Sequence, residues 1–260
     1  MTSINNSNKN NASTAPTGIQ RGNYNRTLAG PLLLILGRAA AIPIQYFLLT
    51  TNPFGVRPQL TSLSPPSPSF WPTTLPALPS PVTVYVCMTA ALVLKQAIWA
   101  FYISNELITL QLAVFGVVSD ILYEGICAVV FSFALVNPFW RPELLYAGCV
   151  VHALATLVEL GAELQRKRFK DDARNRGKLC TTGLWGVVRH PNFACNVVYG
   201  AAYGVAAGGW PFVVFPLGMY LGNFVTNAIP PKEEYLRGKY GRRWERYVEE
   251  VRWKLCPGVY

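Results

Sequence analysis

Apolar residues fall in long blocks along this chain, and polar residues fall between them. The first block covers about residues 28–50 and is interrupted by Gly30, Pro31 and Pro43. Three more follow at about 82–104, 108–136 and 143–164. Each of these three meets the ~20 residues an α-helix needs to cross a hydrocarbon core. A last block, about 194–229, is broken at Gly208-Gly209-Trp210-Pro211 and predicts a hairpin of two short helices. Within it Gly200, Gly204 and Gly208 recur every four residues, a small-residue face on which helices approach closely. The pattern predicts an all-α, polytopic membrane bundle of about six transmembrane helices. Residues 51–80 are too proline-dense for helix or central strand. They are expected to be a spacer, with a cover over the lumenal mouth of the bundle as the alternative. Residues 1–27 are rich in Asn, Ser and Thr and lack an apolar h-region, so they are expected to be a disordered tail and not a signal peptide. Residues 28–260 are expected to form one membrane domain.

Composition adds to that picture. Of 260 residues, 51% are hydrophobic and 14% charged, against about 25% charged in soluble domains. The net charge of +10 is gathered in two segments beside apolar blocks, which argues against a nucleic-acid partner. Residues 165–192 carry eight Lys and Arg, residues 232–260 carry eight more, and the proline-rich loop carries only Arg57. The positive-inside rule therefore places both basic segments in the cytosol. Lys9, Arg21 and Arg26 place the N-terminal end there too, in agreement with an even number of spans. The six cysteines have neither CxxC nor zinc-like spacing, so no disulfide framework and no metal site are expected.

Lys95, Asp120, Glu124, His152 and Glu159 stand inside the apolar blocks. Each is costly in lipid and should turn inward to a partner. Asp120 and Glu124 are four apart and share a helical face. Two carboxyls in a low-dielectric site do not both ionise easily, so one would hold a proton. Such an acid could polarise a ketone. The plainer alternative is that Lys95 neutralises the pair and ties helices together. His152 reads as a core histidine.

The two basic segments hold more than charge. In residues 165–193, Gly177, Gly183 and Gly186 allow close backbone turns, Asn175 and Asn192 offer amides, and Trp185 and Phe193 offer flat faces. Arg189-His190-Pro191-Asn192 opens a new helix, where backbone N–H groups favour an anion. This combination suits a nucleotide better than a lipid headgroup. In the second segment Tyr240, Trp244, Tyr247 and Val251 share one helical face. Glu233 and Glu234 follow Pro230-Pro231, which predicts a helix N-terminus at these carboxylates.

The runs Q-R-K-R-F-K, N-R-G-K, G-L-W and R-H-P-N-F, then K-E-E-Y-L-R-G-K-Y-G-R-R-W-E-R-Y and P-G-V-Y, resemble the steroid 5α-reductase/sterol reductase superfamily over residues 165–260. The resemblance implies an enzyme in the endoplasmic reticulum membrane, with both termini and an NADPH site facing the cytosol. Gln165, Arg168, Lys170, Asn175, Trp185, Arg189, His190, Asn192, Glu234, Tyr240 and Tyr247 would line that site. The implied reaction reduces a carbon–carbon double bond in a sterol-like, steroid or terpenoid lipid. Asp120, Glu124 or Tyr199 would act as the acid, with Tyr203 a further candidate. Isoprenylcysteine and phospholipid methyltransferases share this architecture and hold S-adenosylmethionine, so methyl transfer to a membrane lipid or isoprenylcysteine is the alternative. A non-catalytic membrane scaffold is the second. Two departures from the reductase pattern stand out. Phe193 replaces a tyrosine, and Asn196, preceded by Cys195, replaces an acid.

Overall fold

The computed structural model describes residues 20–51 and 80–260; the proline-rich loop at 52–79 and residues 1–19 lie outside the described residues, as do the expectations that fall on them. The apolar blocks are helical. α1 (Ala29–Ala39) and α2 (Ala41–Thr51) make one span with a break at Ala40. Pro43 has no N–H to bond back to residue 39, so the helix parts just before it. Ser80 caps α3 (Pro81–Ile98), its hydroxyl accepting from the Thr83 N–H at 3.3 Å. A π turn at Trp99–Ile103 ends that span. Thr109 caps α4 (Leu110–Ser132) in the same way. Then come α5 (Pro142–Asp171), α6 (Pro191–Gly208), α7 (Val214–Asn223), α8 (Ile229–Tyr240) and α9 (Arg242–Glu250).

Two boundaries differ from the apolar pattern. α5 does not stop with its apolar block but runs on to Asp171. Ion pairs along it support the extra turns, the buried Glu163 with Arg166 at 2.6 Å and Lys167 with Asp171 at 2.7 Å. Gln165, Arg168 and Lys170 therefore sit on a helix and not in a loop. The last block does not stop at Ile229 either. A π turn at Phe224–Ala228 carries the helix past Pro230 and Pro231 to Tyr240. The wider turn accommodates two residues that cannot donate to an α ladder. Glu233 and Glu234 thus lie within a continuing helix, and the helix N-terminus expected at them is not there.

Five helical stretches are long and apolar enough to cross a membrane: Ala29–Thr51, Pro81–Ile103, Leu110–Ser132, Pro142–Asp171 and Trp210–Tyr240. The shorter α6 is the central sixth helix, packed on α4, α5 and α7, with Tyr203, Ala206 and Ala207 fully buried. The outer faces are apolar, as at Leu122, Val129, Leu154 and Leu157. Gln45, Thr89, Glu124, His152 and Glu159 are buried inside. Apolar surface outside and polar groups inside is the arrangement that lipid demands. The chain is an integral membrane protein with an all-α, polytopic bundle. Among the described residues the sole β pairing is an isolated bridge between Gln20 and Leu107.

One end of the bundle is an aromatic plug. Tyr85 stacks on Phe131 with ring centres 4.4 Å apart, and the Trp140 indole N–H donates to the Ala206 carbonyl at 2.8 Å. The chain turns there at Gly209, whose φ of +79° is open to glycine at little cost. The glycine stripe of α6 faces α7 as expected. A methyl placed on Gly204 would come 2.5 Å from Cγ of Pro216, and one on Gly208 would come 2.7 Å from Cβ of Phe212. Gly204→Ala should therefore cost about 1–3 kcal/mol by overpacking. Gly161→Ala, where no atom stands within 4 Å of the new methyl, should cost none. Thermal unfolding of the two variants in detergent, followed by tryptophan fluorescence, checks the difference.

Candidate active site

The opposite end of the bundle carries both basic segments, and a clamp joins them. Arg189 and His190 precede Pro191, the first residue of α6. Their backbone N–H groups donate to the carbonyls of Trp253 and Lys254, each at 2.9 Å. The Arg189 guanidinium donates to the carbonyls of Val251 at 2.9 Å and Arg252 at 2.8 Å, and through Nε to Glu233 Oε1 at 2.9 Å. His190 Nε2 lies 3.1 Å from the same carboxylate oxygen. The ring is fully buried, and its Nδ1 has no partner. A neutral imidazole donating from Nε2 satisfies this geometry. A charged ring would bury a second N–H without an acceptor. Burial accordingly lowers the His190 pKa to about 4, although Glu233 works the other way.

This clamp frames a cavity of about 470 Å³ that opens among the basic segments and runs into the bundle. Its outer wall includes Arg166, Lys170, Trp185, Arg189, Lys232 and Tyr240. Trp185 is fixed at both ends, its indole N–H on the Ala162 carbonyl at 3.0 Å and its own carbonyl on the Tyr247 hydroxyl at 2.6 Å. The Lys232 ammonium sits over Phe193 at 4.4 Å and beside Trp185 at 5.7 Å. Among the described residues no carboxylate lies within ion-pair distance of Lys232. Lys170 bonds the Tyr240 hydroxyl at 2.8 Å and the Lys178 carbonyl, and no carboxylate pairs with it either. Free cations beside flat aromatic faces suit the phosphates and rings of a nucleotide.

The inner end of the cavity is also polar. Lys95 pairs with Glu159 at 2.6 Å and lies 3.3 Å from the Tyr199 hydroxyl. That hydroxyl donates to Asn196 Oδ1 at 2.6 Å, and Asn196 Nδ2 donates to the Asn192 carbonyl at 2.6 Å. Arg38 bridges Asp120, at 3.1 Å, and Glu124, and it also bonds Gln96. Lys95 was the expected partner of the two carboxylates; Arg38 is the partner the structure provides. It stands in the first apolar block, where one cation among leucines is easily passed over. His152 is a core residue, edge-on to Tyr199 with ring centres 5.7 Å apart.

The cavity wall gathers Asp120, Lys170, Trp185, Arg189, Asn192, Tyr199, Tyr240 and Tyr247 from the residues singled out in the sequence. Glu124 and His190 are buried behind it. Gln165 props the loop instead, its amide donating to the Thr182 carbonyl at 3.2 Å against Gly183, whose φ is +62°. Arg168 and Glu234 are exposed, and Asn175 closes a 3₁₀ turn. Glu233, not Glu234, faces Arg189. Helical spacing could have found this, because Glu233 shares a face with Leu236 and Tyr240 at i+3 and i+7. Arg21, Arg38, Arg166 and Lys232 also line the cavity and were not expected there.

Comparison with known proteins places this chain in a family. The family described as "Protein of unknown function (DUF1295)" matches residues 102–251, more than half of the chain, and the chain belongs to it. The chain is 32% identical over 90 residues to the 7-dehydrocholesterol reductase of Danio rerio, covering 35% of this chain and 19% of that protein. It is 22% identical over 185 residues to the Delta(14)-sterol reductase of Mus musculus, covering 64% and 44%. It is also 32% identical over 111 residues to a probable O-methyltransferase, ustE, of Ustilaginoidea virens, covering 42% and 37%. The chain thus spans less than half the length of each of these relatives. The likeness to the sterol reductases agrees with the resemblance read from the two basic segments.

The clamp sets a pH dependence. Unfolded, His190 would take up a proton near its ordinary value of about 6.5; folded, it does so only near pH 4. The unfolded chain therefore binds more protons between those values, and stability falls as pH drops from about 6.5 to about 4. A shift of this size corresponds to about 3 kcal/mol. Denaturant titrations across this range should show the loss, and His190→Gln should reduce it.

Proposed function

We propose that the protein is an NADPH-dependent reductase of a carbon–carbon double bond in a sterol-like, steroid or terpenoid lipid. One observation carries this reading. A single cavity connects a cationic, aromatic mouth with a half-buried Lys95–Tyr199–Asn196 chain among the helices. The mouth suits a phosphate-bearing nucleotide. The inner end suits the polar head of an apolar molecule that arrives from the lipid. The likeness to two sterol reductases supports the same reaction class.

NADPH would supply a hydride to the β-carbon of an enone. Lys170, Lys232 and Arg189 would meet its phosphates, and Trp185, Phe193 and Tyr240 its flat rings. Tyr199 would turn its O–H from Asn196 Oδ1 to the substrate oxygen and deliver the proton, while Lys95 steadies the oxygen that loses it. Asp120 and Glu124, both held by Arg38, would keep the inner wall polar and are the alternative acids. On this reading the mouth faces the cytosol, with both termini on that side, in the endoplasmic reticulum membrane.

Methyl transfer from S-adenosylmethionine to a membrane lipid or isoprenylcysteine is the second reading, and the likeness to the probable O-methyltransferase favours it. Equilibrium dialysis of the detergent-purified protein separates the two. NADPH should be retained more tightly than S-adenosylmethionine; the reverse order would overturn the reductase. Tyr199→Phe should then lower turnover of NADPH with a lipid enone by about 10²–10⁴-fold, the range for losing a positioned acid. Its retention of NADPH should stay as in the parent.

A further inference from the structure

The segment before the first span crosses the mouth of the cavity. The Leu107 N–H donates to the Asn23 carbonyl at 2.8 Å, and the Gly22 N–H donates to Glu106 Oε1 at 3.1 Å. Arg26 donates to the carbonyls of Ala100 at 3.2 Å and Phe101 at 3.0 Å. On the far side, Lys239 donates to the Tyr24 hydroxyl at 3.3 Å. Residues 20–26 thus strap the turn between α3 and α4 to the end of α8. Arg21 and Tyr24 of this strap line the cavity.

Arg21 is poorly explained as a structural residue. Its nearest carboxylate is Glu106 at 3.8 Å, too far for a hydrogen bond. Its side chain is only 18% exposed, and it shares the cavity wall with Arg166 and Lys232. Burial lowers its pKa, Glu106 opposes this, and Arg166 adds to the lowering. Glu106 and Glu163 line the same wall, but Glu163 is spent on Arg166 at 2.6 Å and Glu106 stands off at 3.8 Å, so Arg21 and Lys232 keep donors for an incoming anion. The family match begins at residue 102, so the strap lies outside it.

We propose that Arg21 is an anion-binding residue of this cavity, contacting a phosphate of the nucleotide, and that residues 20–26 are the strap that delivers it. The identity of the nucleotide rests on the reductase reading; the anion contact does not. A guanidinium offers phosphate a fork of donors that a lysine cannot. The strap also closes one side of the mouth, so the phosphate would meet charge from α5, α8 and the strap together.

The test is thermal unfolding of the full chain in a maltoside detergent, which has no phosphate headgroup. It is titrated with NADPH, sodium pyrophosphate and S-adenosylmethionine, which carries no phosphate. Arg21→Gln should unfold at the same or a higher temperature than the parent without ligand, because it relieves repulsion. Its Kd for NADPH and pyrophosphate should rise by about tenfold, as expected for one charge-assisted contact, with no change for S-adenosylmethionine. Unchanged affinity for pyrophosphate would overturn the proposal, as would lower stability without ligand at unchanged affinity. If the parent ignores NADPH but Arg21→Gln still weakens pyrophosphate, the nucleotide reading fails and the anion contact stands. Arg21→Met replaces the glutamine variant if that one does not fold, with the same two affinities read.

Discussion

Charge cannot face lipid, and this constraint gathers the ionisable residues of the spans around one cavity. Arg38, Lys95, Asp120, Glu124 and Glu159 come from four different helices, α1, α3, α4 and α5. None can turn outward without losing its solvation, so each turns toward the others. Arg38 between Asp120 and Glu124, and Lys95 on Glu159, offset their desolvation in pairs. The helices must pack so that these pairs meet, and a bundle arranged that way has a polar interior at one end. The aromatic plug around Tyr85, Phe131 and Trp140 shows the opposite case. Where the sequence supplies no charge, the same helices close into a dry core.

The water-facing end obeys a different constraint. There the helices need something to hold two basic segments together against their own repulsion. Glu233 does this, receiving Arg189 and His190 while Lys254 stands 3.7 Å from its other oxygen. Backbone bonds from 189–190 to 253–254 complete the join. The Arg-His pair is therefore mainly a brace that lets the free cations, Lys170 and Lys232, stand over the opening. Arg189 reaches the cavity wall, but its donors are largely spent on the tail. Lys170 and Lys232, by contrast, have no carboxylate within ion-pair distance among the described residues.

Much of this fold was legible in the sequence. Block length gave the spans, the positive residues gave a shared end for both basic segments, and the glycine stripe gave the α6–α7 contact. The misjudged boundaries share one cause. Apolar blocks end where lipid ends, but helices end where backbone bonding ends. α5 continues on ion pairs between its own turns, and the last span continues through two prolines because a π turn absorbs them. That second continuation moved Glu233 and Glu234 from a helix end to a helix face and decided which of them meets Arg189. Arg38 and Arg21 were illegible for another reason. Their importance comes from residues far along the chain, and a lone arginine in an apolar block or a polar tail carries no local signal of that.

Asn196 shows why a departure from a family pattern need not be a loss. Its Nδ2 faces the Asn192 carbonyl, which can only accept, so the amide orientation is fixed by its partner. Its Oδ1 must then face Tyr199, and the Tyr199 hydroxyl must donate to it. Lys95 donates to the same hydroxyl from the other side. Donation therefore runs one way, from Lys95 through Tyr199 and Asn196 to the Asn192 carbonyl. A carboxylate at this position could accept from Tyr199 but could not, while ionised, donate to Asn192. It would also bring a negative charge close to Glu159. The amide keeps Lys95 and Glu159 as a balanced pair and leaves the phenol held and uncharged, its O–H on Asn196 Oδ1, at the inner end of the cavity.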